Sequence, residues 1–192
     1  MPEPTDLPVL RFADPVSFER WLAAEHATAP GAYVAIAKKG APEPTLAQAE
    51  MIESLLCFGW IDGRVQRLDD HYFLTRVTPR RSKSVWSQKN VEWVGRLIEA
   101  GRMRPAGLAA VEAAQADGRW DRAYAGSATI TVPEDLAAAL AAAPAAQREF
   151  EALDSANRYA VLWRVHTAGT PETRARRIAT CVEMLAEGRR FH

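Results

Sequence analysis

The chain has 192 residues, 48% of them hydrophobic, so it is long enough for one domain with a full core and too apolar for a disordered chain. Lysine plus arginine and aspartate plus glutamate number 24 each, which argues against a dedicated nucleic-acid binder because such proteins carry a basic excess. Cys57 and Cys181 are in no metal or redox spacing, which indicates two reduced thiols. With no secretory signal and no apolar run of membrane-spanning length in the sequence, we expect a cytoplasmic protein without membrane insertion.

The first elements in chain order are predicted to be an extended arm, a helix and a strand. Residues 1–12 are rich in proline and predict the arm. Asp14 and Pro15 are typical of a helix start, with an N-cap acid followed by proline in the first turn. The apolar run at 33–37 then predicts a short strand.

A second helix and a β-hairpin follow. Thr45, with Gln48 three residues later, fits a capping box that would start the helix. Residues 60–66 and 71–78 predict two strands joined by the polar turn 67–70.

The chain after Ser84 is predicted to be helical throughout. One helix is expected from about 85 to 100, and prolines at 105, 133, 144 and 171 open others. The predicted fold class is therefore α+β. Residues 1–100 would form a small antiparallel sheet with covering helices, with the hairpin at 60–78, and residues 101–192 an all-helical half. We expect the two halves to pack as one unit.

An aspartate interrupts the first hairpin strand. Simple alternation places Trp60, Asp62, Arg64 and Gln66 on one face, which is polar with an aromatic edge. Asp62 is expected to pair with an arginine, with Arg64, Arg80, Arg81 and Arg174 as the candidates. Trp60, Asp62 and Arg64 are candidate ligand-binding residues on this face, and Asp62 is also the candidate general base if the protein is an enzyme.

The basic segment TPRRSKSVWSQKN, residues 78–90, leads into a predicted helix start. Free backbone N–H groups at such a start attract anions, and arginine binds phosphate or carboxylate with two hydrogen bonds. The candidate ligand-binding residues here are Arg80, Arg81, Ser82, Ser84, Trp86 and Ser87. The alternative is that Ser84 only caps the helix and the arginines are solvated.

Two further polar residues interrupt apolar helical stripes. Asn90 lies on the stripe of Trp86, Trp93 and Leu97, and Arg174 lies on the stripe of the last helix. A buried amide or guanidinium needs a partner, which is either a neighbouring residue or a ligand. Both residues therefore join the candidate site.

Recognised catalytic and cofactor motifs are absent from the sequence, which has no GxxxxGK[ST], GxGxxG, HExxH or GxSxG. The four histidines are not at metal-ligand spacing. We therefore predict no metal site and no cofactor.

Several motifs resemble the bacterial YdeI/OmpD-associated family, also labelled bacteriocin-protection. They are CFGWIDG (57–63), FLTRVTPRRSKSVWSQKN (73–90), GRMRPAGLAAVEAAQADGRW (101–120), VPEDLAAAL (132–140), NRYAVLW (157–163) and PETRARRI (171–178). The resemblance covers roughly residues 30–190. It implies no established enzymatic activity. The family labels imply tolerance of antimicrobial peptides and an outer-membrane porin partner, whereas the absence of an export signal favours the cytoplasm.

Three functions remain open on the sequence. The first is a cytoplasmic protein of stress or antimicrobial-peptide tolerance that binds a small anionic ligand near residues 78–90. The second is a small enzyme with Asp62 as general base on an anionic substrate. The third is a protein–protein adaptor without a pocket, which would have a protein partner. Nucleic acid is not an expected partner because the net charge is zero.

Overall fold

The computed structural model describes residues 7–190, and the contacts within the chain group its residues into two units. The first unit contains Met1–Ser84 and Asn90–Gly118, and the second contains Val85–Lys89 and Arg119–His192. By this grouping the first unit extends past residue 100. The expected packing of both halves as one body stays a prediction.

The first unit contains a four-stranded sheet with the strand order β1-β2-β4-β3. Its elements are β1 (Val9–Leu10), α1 (Pro15–Glu25), β2 (Ala32–Ala37), α2 (Gln48–Cys57), β3 (Trp60–Arg67), β4 (Tyr72–Pro79), α3 (Gln88–Glu99, of which Asn90 onwards belongs here) and α4 (Pro105–Ala116). β2, β4 and β3 pair antiparallel, as predicted. The two-residue β1 adds a parallel edge within the predicted extended arm, so the sheet is mixed.

The starts of α1 and α2 differ in how well local signals predict them. The Asp14 carboxylate accepts a hydrogen bond of 2.7 Å from the Ser17 N–H, which confirms the predicted cap. α2 instead begins after Ala47, whose N–H donates to Glu50 Oε2 at 2.8 Å. The Thr45 hydroxyl accepts from the Ala37 N–H at the end of β2, so the predicted capping box is wrong because tertiary structure recruits this threonine.

A β-bulge interrupts β3 directly after Asp62. Asp62 pairs with Val77, but Val65 pairs with Thr75, so β3 advances three residues while β4 advances two. The extra residue brings Val65 to the face of Trp60 and Asp62 and moves Gln66 to the other face. The predicted alternation is therefore wrong beyond Asp62.

The second unit is helical around its own core. Its helices are α5 (Glu134–Ala141), α6 (Pro144–Glu151), α7 (Ser155–His166) and α8 (Pro171–Ala186). Their buried side chains form one cluster, which includes Leu136, Leu140, Phe150, Leu162, Ile178, Cys181 and Leu185. These elements, with the sheet of the first unit, confirm the α+β class. Among residues 7–190, no helix has both the length and the apolarity that a bilayer crossing requires.

Candidate functional site

Asp62 lies half-buried in the hairpin, where the bulge begins. Burial raises the pKa of its carboxyl group, while a backbone hydrogen bond and the positive charge of Arg80 oppose that rise. Of the four arginines considered from the sequence, Arg80 is thus the one that acts on this carboxylate. A carboxyl group with a raised pKa can exchange a proton with a substrate. In its protonated form it can also donate a hydrogen bond to an anion that is bound by a neighbouring arginine.

Arg80 is held at the end of β4 by its backbone. Its N–H donates a 2.9 Å hydrogen bond to the Gly59 carbonyl, directly before β3 begins. Gly59 has φ +73°, and a Cβ there would lie 2.7 Å from the Ala106 carbonyl oxygen, so only glycine fits this corner. The Gly59 backbone therefore sets the position at which the chain leaves β4 at Arg80.

Trp60 belongs to the core of the first unit. Its side chain is 1% exposed, its Nε1–H donates to the His26 carbonyl at 3.1 Å, and its ring meets Trp21 edge-on at 5.6 Å. The indole therefore anchors the start of β3 and is almost entirely out of reach of a ligand.

The turn 81–84 replaces the predicted helix start. The Arg81 N–H donates to Ser84 Oγ and the Ser84 N–H donates to the Arg81 carbonyl, both at 2.9 Å. Ser84 thereby closes a turn four residues before the first helical residue, Gln88. The predicted start near 85 is wrong, because residues 85–87 are taken up by other pairing. Arg81 and Ser82 are exposed on this turn.

Residues 86 to 88 pair with a loop of the second unit. The Tyr124 N–H donates to the Trp86 carbonyl at 3.0 Å, and the Gln88 N–H donates to the Tyr124 carbonyl at 2.9 Å. Ser87 and Tyr124 form the bridge between them. Trp86 is 1% exposed and packs on Trp120 with ring centroids 5.0 Å apart, which makes it a core residue of its unit.

Asn90, on α3, is half-exposed rather than buried. The free-energy cost of removing the Asn90 amide from water is therefore smaller than the apolar pattern of the helix predicts. The role of Asn90 as a ligand contact stays a prediction.

Arg174 has a partner within the second unit. Its Nε and Nη2 donate to the two oxygens of Asp135 at 2.6 and 2.9 Å, and its Nη1 donates to the Val165 carbonyl at 3.0 Å. Asp135 was not a predicted partner of Arg174, although the acids in the first turn of its helix were a signal in the sequence. That Arg174 converges with Asp62 on one site stays a prediction.

Within residues 7–190, four basic side chains of β3, β4 and the 81–84 turn lack an acidic partner. The bulge sets Gly63 and Arg64 opposite Arg76, and Arg81 and Lys83 follow on the turn. Arg64, Arg81 and Lys83 are exposed, and Arg76 is half-exposed. Among the described residues none of these side chains makes a hydrogen bond or an ion pair. Arg76 lies outside the predicted site, and Lys83 lies in the predicted 78–90 segment but was not a named candidate residue.

The described residues provide neither a reactive thiolate nor a group of metal-ligating side chains. Burial raises the pKa of the Cys57 thiol to about 11, which suppresses the nucleophilic thiolate. Between residues 7 and 190 no three histidine, cysteine or acidic side chains are grouped as a metal ion would require.

Two family models match different parts of the chain. Residues 10–110 match the model described as "Domain of unknown function (DUF8412)", and residues 129–188 match "Bacteriocin-protection, YdeI or OmpD-Associated". The second match confirms the resemblance, and it contains the VPED-to-PETR part of the chain; the earlier motifs lie mostly in the first. No curated protein and no solved structure matches the chain.

Proposed function

We propose that this chain, which belongs through its residues 10–110 to the family "Domain of unknown function (DUF8412)", is a binding protein for a small anionic ligand. The ligand would bind at the end of the β3–β4 hairpin, near Asp62, Arg80 and the 81–84 turn. All of these residues belong to the first unit.

The four unpartnered cations of the hairpin and its turn carry this proposal. Two other arginines of the first unit bind carboxylates: Arg11 pairs with Glu43, and Arg102 pairs with Glu19 and Glu53. Within the described residues, by contrast, Arg64, Arg76, Arg81 and Lys83 make no such pair. The surplus of positive charge supports an anion as the ligand.

Asp62 and Arg80 would set the position of the bound anion. Both are half-buried, so their charges are screened less than those of the exposed turn. An anion beside Arg80 would compete with Asp62 for the guanidinium and would be favoured when Asp62 is protonated. Arg81 and Lys83 would then add attraction from the solvent side.

A thermal-shift titration of the full chain tests the proposal, with inorganic phosphate, citrate and ATP as probes against chloride at equal ionic strength. A ligand that binds the native state raises the melting temperature. We expect at least one anion to do so, with the shift reduced in Arg80→Gln and Arg81→Gln and kept in Arg148→Gln. Arg148 is an exposed arginine on α6, remote in sequence from the hairpin. Shifts that match chloride, or that survive both hairpin variants, would refute the site.

We further propose that this binding serves tolerance of antimicrobial peptides in the cytoplasm. Support comes from the family that residues 129–188 match, "Bacteriocin-protection, YdeI or OmpD-Associated". Expression of the wild-type chain should raise the survival of a sensitive bacterial host under bacteriocin, and expression of Arg80→Gln should not. Equal survival with both, at equal protein levels, would separate tolerance from the anion site.

A second candidate function is acid–base catalysis by Asp62. The observation that favours it is the raised pKa of this half-buried carboxyl group, which brings it closer to the pH at which a general base works best. Hydrolysis of p-nitrophenyl phosphate and p-nitrophenyl acetate tests it. Turnover should be lost in Asp62→Asn and kept in Arg148→Gln, and turnover that survives Asp62→Asn would exclude this role. The adaptor function stays a prediction.

A further inference from the structure

We propose that a cleft of the first unit, formed by α1, Phe58 and the first turn of α4, binds small carboxylic acids with an apolar body. This cleft has a volume of about 620 Å³, within the range of small-molecule sites. It shares no residue with the hairpin site and is independent of the function proposed above.

The apolar part of the cleft comes from all three elements. Val16 and Ala23 contribute from α1, Pro105 and Ala106 from α4, and Phe58 lies between them. Val16 is 66% exposed, so this wall of the cleft presents apolar surface to solvent. A ligand body against this wall would remove that surface from water.

The floor of the cleft is held by close backbone packing. A Cβ on Gly107 would lie 2.2 Å from the Cys57 carbonyl oxygen, so the first turn of α4 rests directly on the end of α2. The same Cys57 carbonyl accepts the Arg104 N–H at 3.1 Å. Phe58 and Arg104 are therefore positioned by the fold before any ligand arrives.

Positive charge dominates the polar part of the cleft. Arg104 lies over the Phe58 ring, with its guanidinium carbon 6.0 Å from the centroid, and Arg20 lines the cleft from α1. Neither guanidinium bonds to a carboxylate within the described residues; Arg20 acts on Asp14 only through its charge. The only lining acid, Glu19, is already engaged, because its Oε1 accepts from Arg102 Nη2 at 2.9 Å and Ser54 Oγ at 3.1 Å.

The start of α4 offers further donors to a ligand carboxylate. His26 also lines the cleft but adds no donor: its Nδ1 lies 2.9 Å from the Leu22 carbonyl and carries the hydrogen, because a carbonyl only accepts, so Nε2 of the neutral ring is an acceptor. α4 begins at Pro105 with no side chain capping it, so N–H groups of its first turn are unsatisfied at the wall. Ala106, in that turn, lines the cleft.

The combination defines a chemical class of ligand. Two arginines and a helix start favour a single carboxylate, and an aromatic ring with aliphatic neighbours favours a flat apolar body. Benzoate has both features and is the probe. Benzyl alcohol has the same body without the charge, and acetate has the charge without the body.

The experiment is a titration of the ¹⁵N-labelled full chain with each probe at constant ionic strength, followed by NMR. We expect saturable shifts of the Ala106 and Gly107 amide signals with benzoate, and binding about tenfold weaker for benzyl alcohol and for acetate. Arg104→Met should weaken benzoate binding by about tenfold, with Arg20→Met as a second variant on a separate, exposed helix position. Arg148→Met should bind like the wild type.

Several outcomes would overturn the proposal. Equal binding of benzoate and benzyl alcohol would show that the cleft does not recognise the carboxylate. Equal binding of benzoate and acetate would show that the apolar walls do not contribute to binding. Benzoate shifts confined to residues 80–84 would place the binding at the hairpin instead. Unchanged affinity in both Arg104→Met and Arg20→Met would exclude the two arginines as the recognition groups.

Discussion

Arg174 and Asp135, 39 residues apart in the sequence, are joined by two parallel hydrogen bonds of 2.6 and 2.9 Å. This fork connects the first turn of α5 to the first turn of α8, and so joins two of the motifs that carry the family resemblance. The Arg174 guanidinium also donates to the Val165 carbonyl at the end of α7. One side chain thus holds three helices of the second unit together.

The first prediction is that Asp135→Asn destabilises the protein by about 1 kcal/mol at neutral pH, the upper range for a partly exposed ion pair. The Arg174 hydrogen bonds lower the pKa of Asp135, so the stabilisation exists above the ordinary aspartate pKa and is lost as the pH falls through the lowered value. Urea denaturation at neutral pH and in acid measures both effects.

The matched control is Glu134→Gln, which removes a charge from the same helical turn without touching Arg174. A double-mutant cycle with Arg174→Gln isolates the pair. Strict additivity of the two single changes, or an equal loss in Glu134→Gln, would show that the fork does not stabilise the unit.

The second prediction concerns Asp62. Because burial raises its folded-state pKa, Asp62 favours the native state at low pH and this contribution is lost as the pH rises through the raised value. Asp62→Asn is therefore expected to raise the melting temperature at neutral pH and to leave it unchanged in acid. Arg80→Gln should push the Asp62 pKa higher still, which a carboxyl ¹³C titration would measure.

Asp69, at the tip of the same hairpin, provides a control of opposite sign. Its carboxylate accepts from the N–H groups of His71 and Tyr72 at 2.7 and 2.8 Å, which lowers its pKa. Asp69→Asn should therefore lower the melting temperature at neutral pH. A loss in Asp62→Asn comparable to that in Asp69→Asn would mean that the Arg80 attraction outweighs the burial of Asp62.

The third prediction compares two helical glycines. An alanine methyl group at Gly107 would overlap the carbonyl oxygens of Cys57 and Leu56, 2.2 and 2.7 Å from the Cβ position. We expect Gly107→Ala to destabilise the protein by about 2–3 kcal/mol, because α4 must move off α2. Gly95→Ala on α3 meets no atom within 4 Å, so its better helix propensity should stabilise by about 1 kcal/mol.

Denaturant midpoints with unchanged slopes measure both glycine variants. A neutral Gly107→Ala would mean that the contact between α2 and α4 yields easily, and would remove the rigid floor on which the carboxylate cleft depends.

The fourth prediction is that neither cysteine reacts in the native protein. Cys57 and Cys181 are each 1% exposed, and burial raises the pKa of both thiols, to about 11 for Cys57. Ellman's reagent should modify no thiol in the folded chain and two after unfolding. Ala109→Cys, at an exposed position on α4, supplies the reactive control, and rapid modification of the wild type would contradict the burial.

Local signals in the sequence were sufficient for the elements whose stability depends on nearby residues. Asp14 caps α1 through a hydrogen bond three residues away, and the hairpin forms because its two strands are joined by a short polar turn. The helical second half follows from prolines and apolar periodicity in the same way. These features depend on neighbouring residues only, so they can be predicted without knowledge of distant partners.

Tertiary structure decided what depends on register and on distant contacts. The bulge after Asp62 changes which face Val65 occupies, and the pairing of Trp86 with Tyr124 delays the start of α3 to Gln88. Asp135 could not be assigned to Arg174 from spacing, because a partner 39 residues away is chosen by helix packing rather than by periodicity. The cleft under Arg104 likewise exists only because Gly107 lets α4 rest on α2.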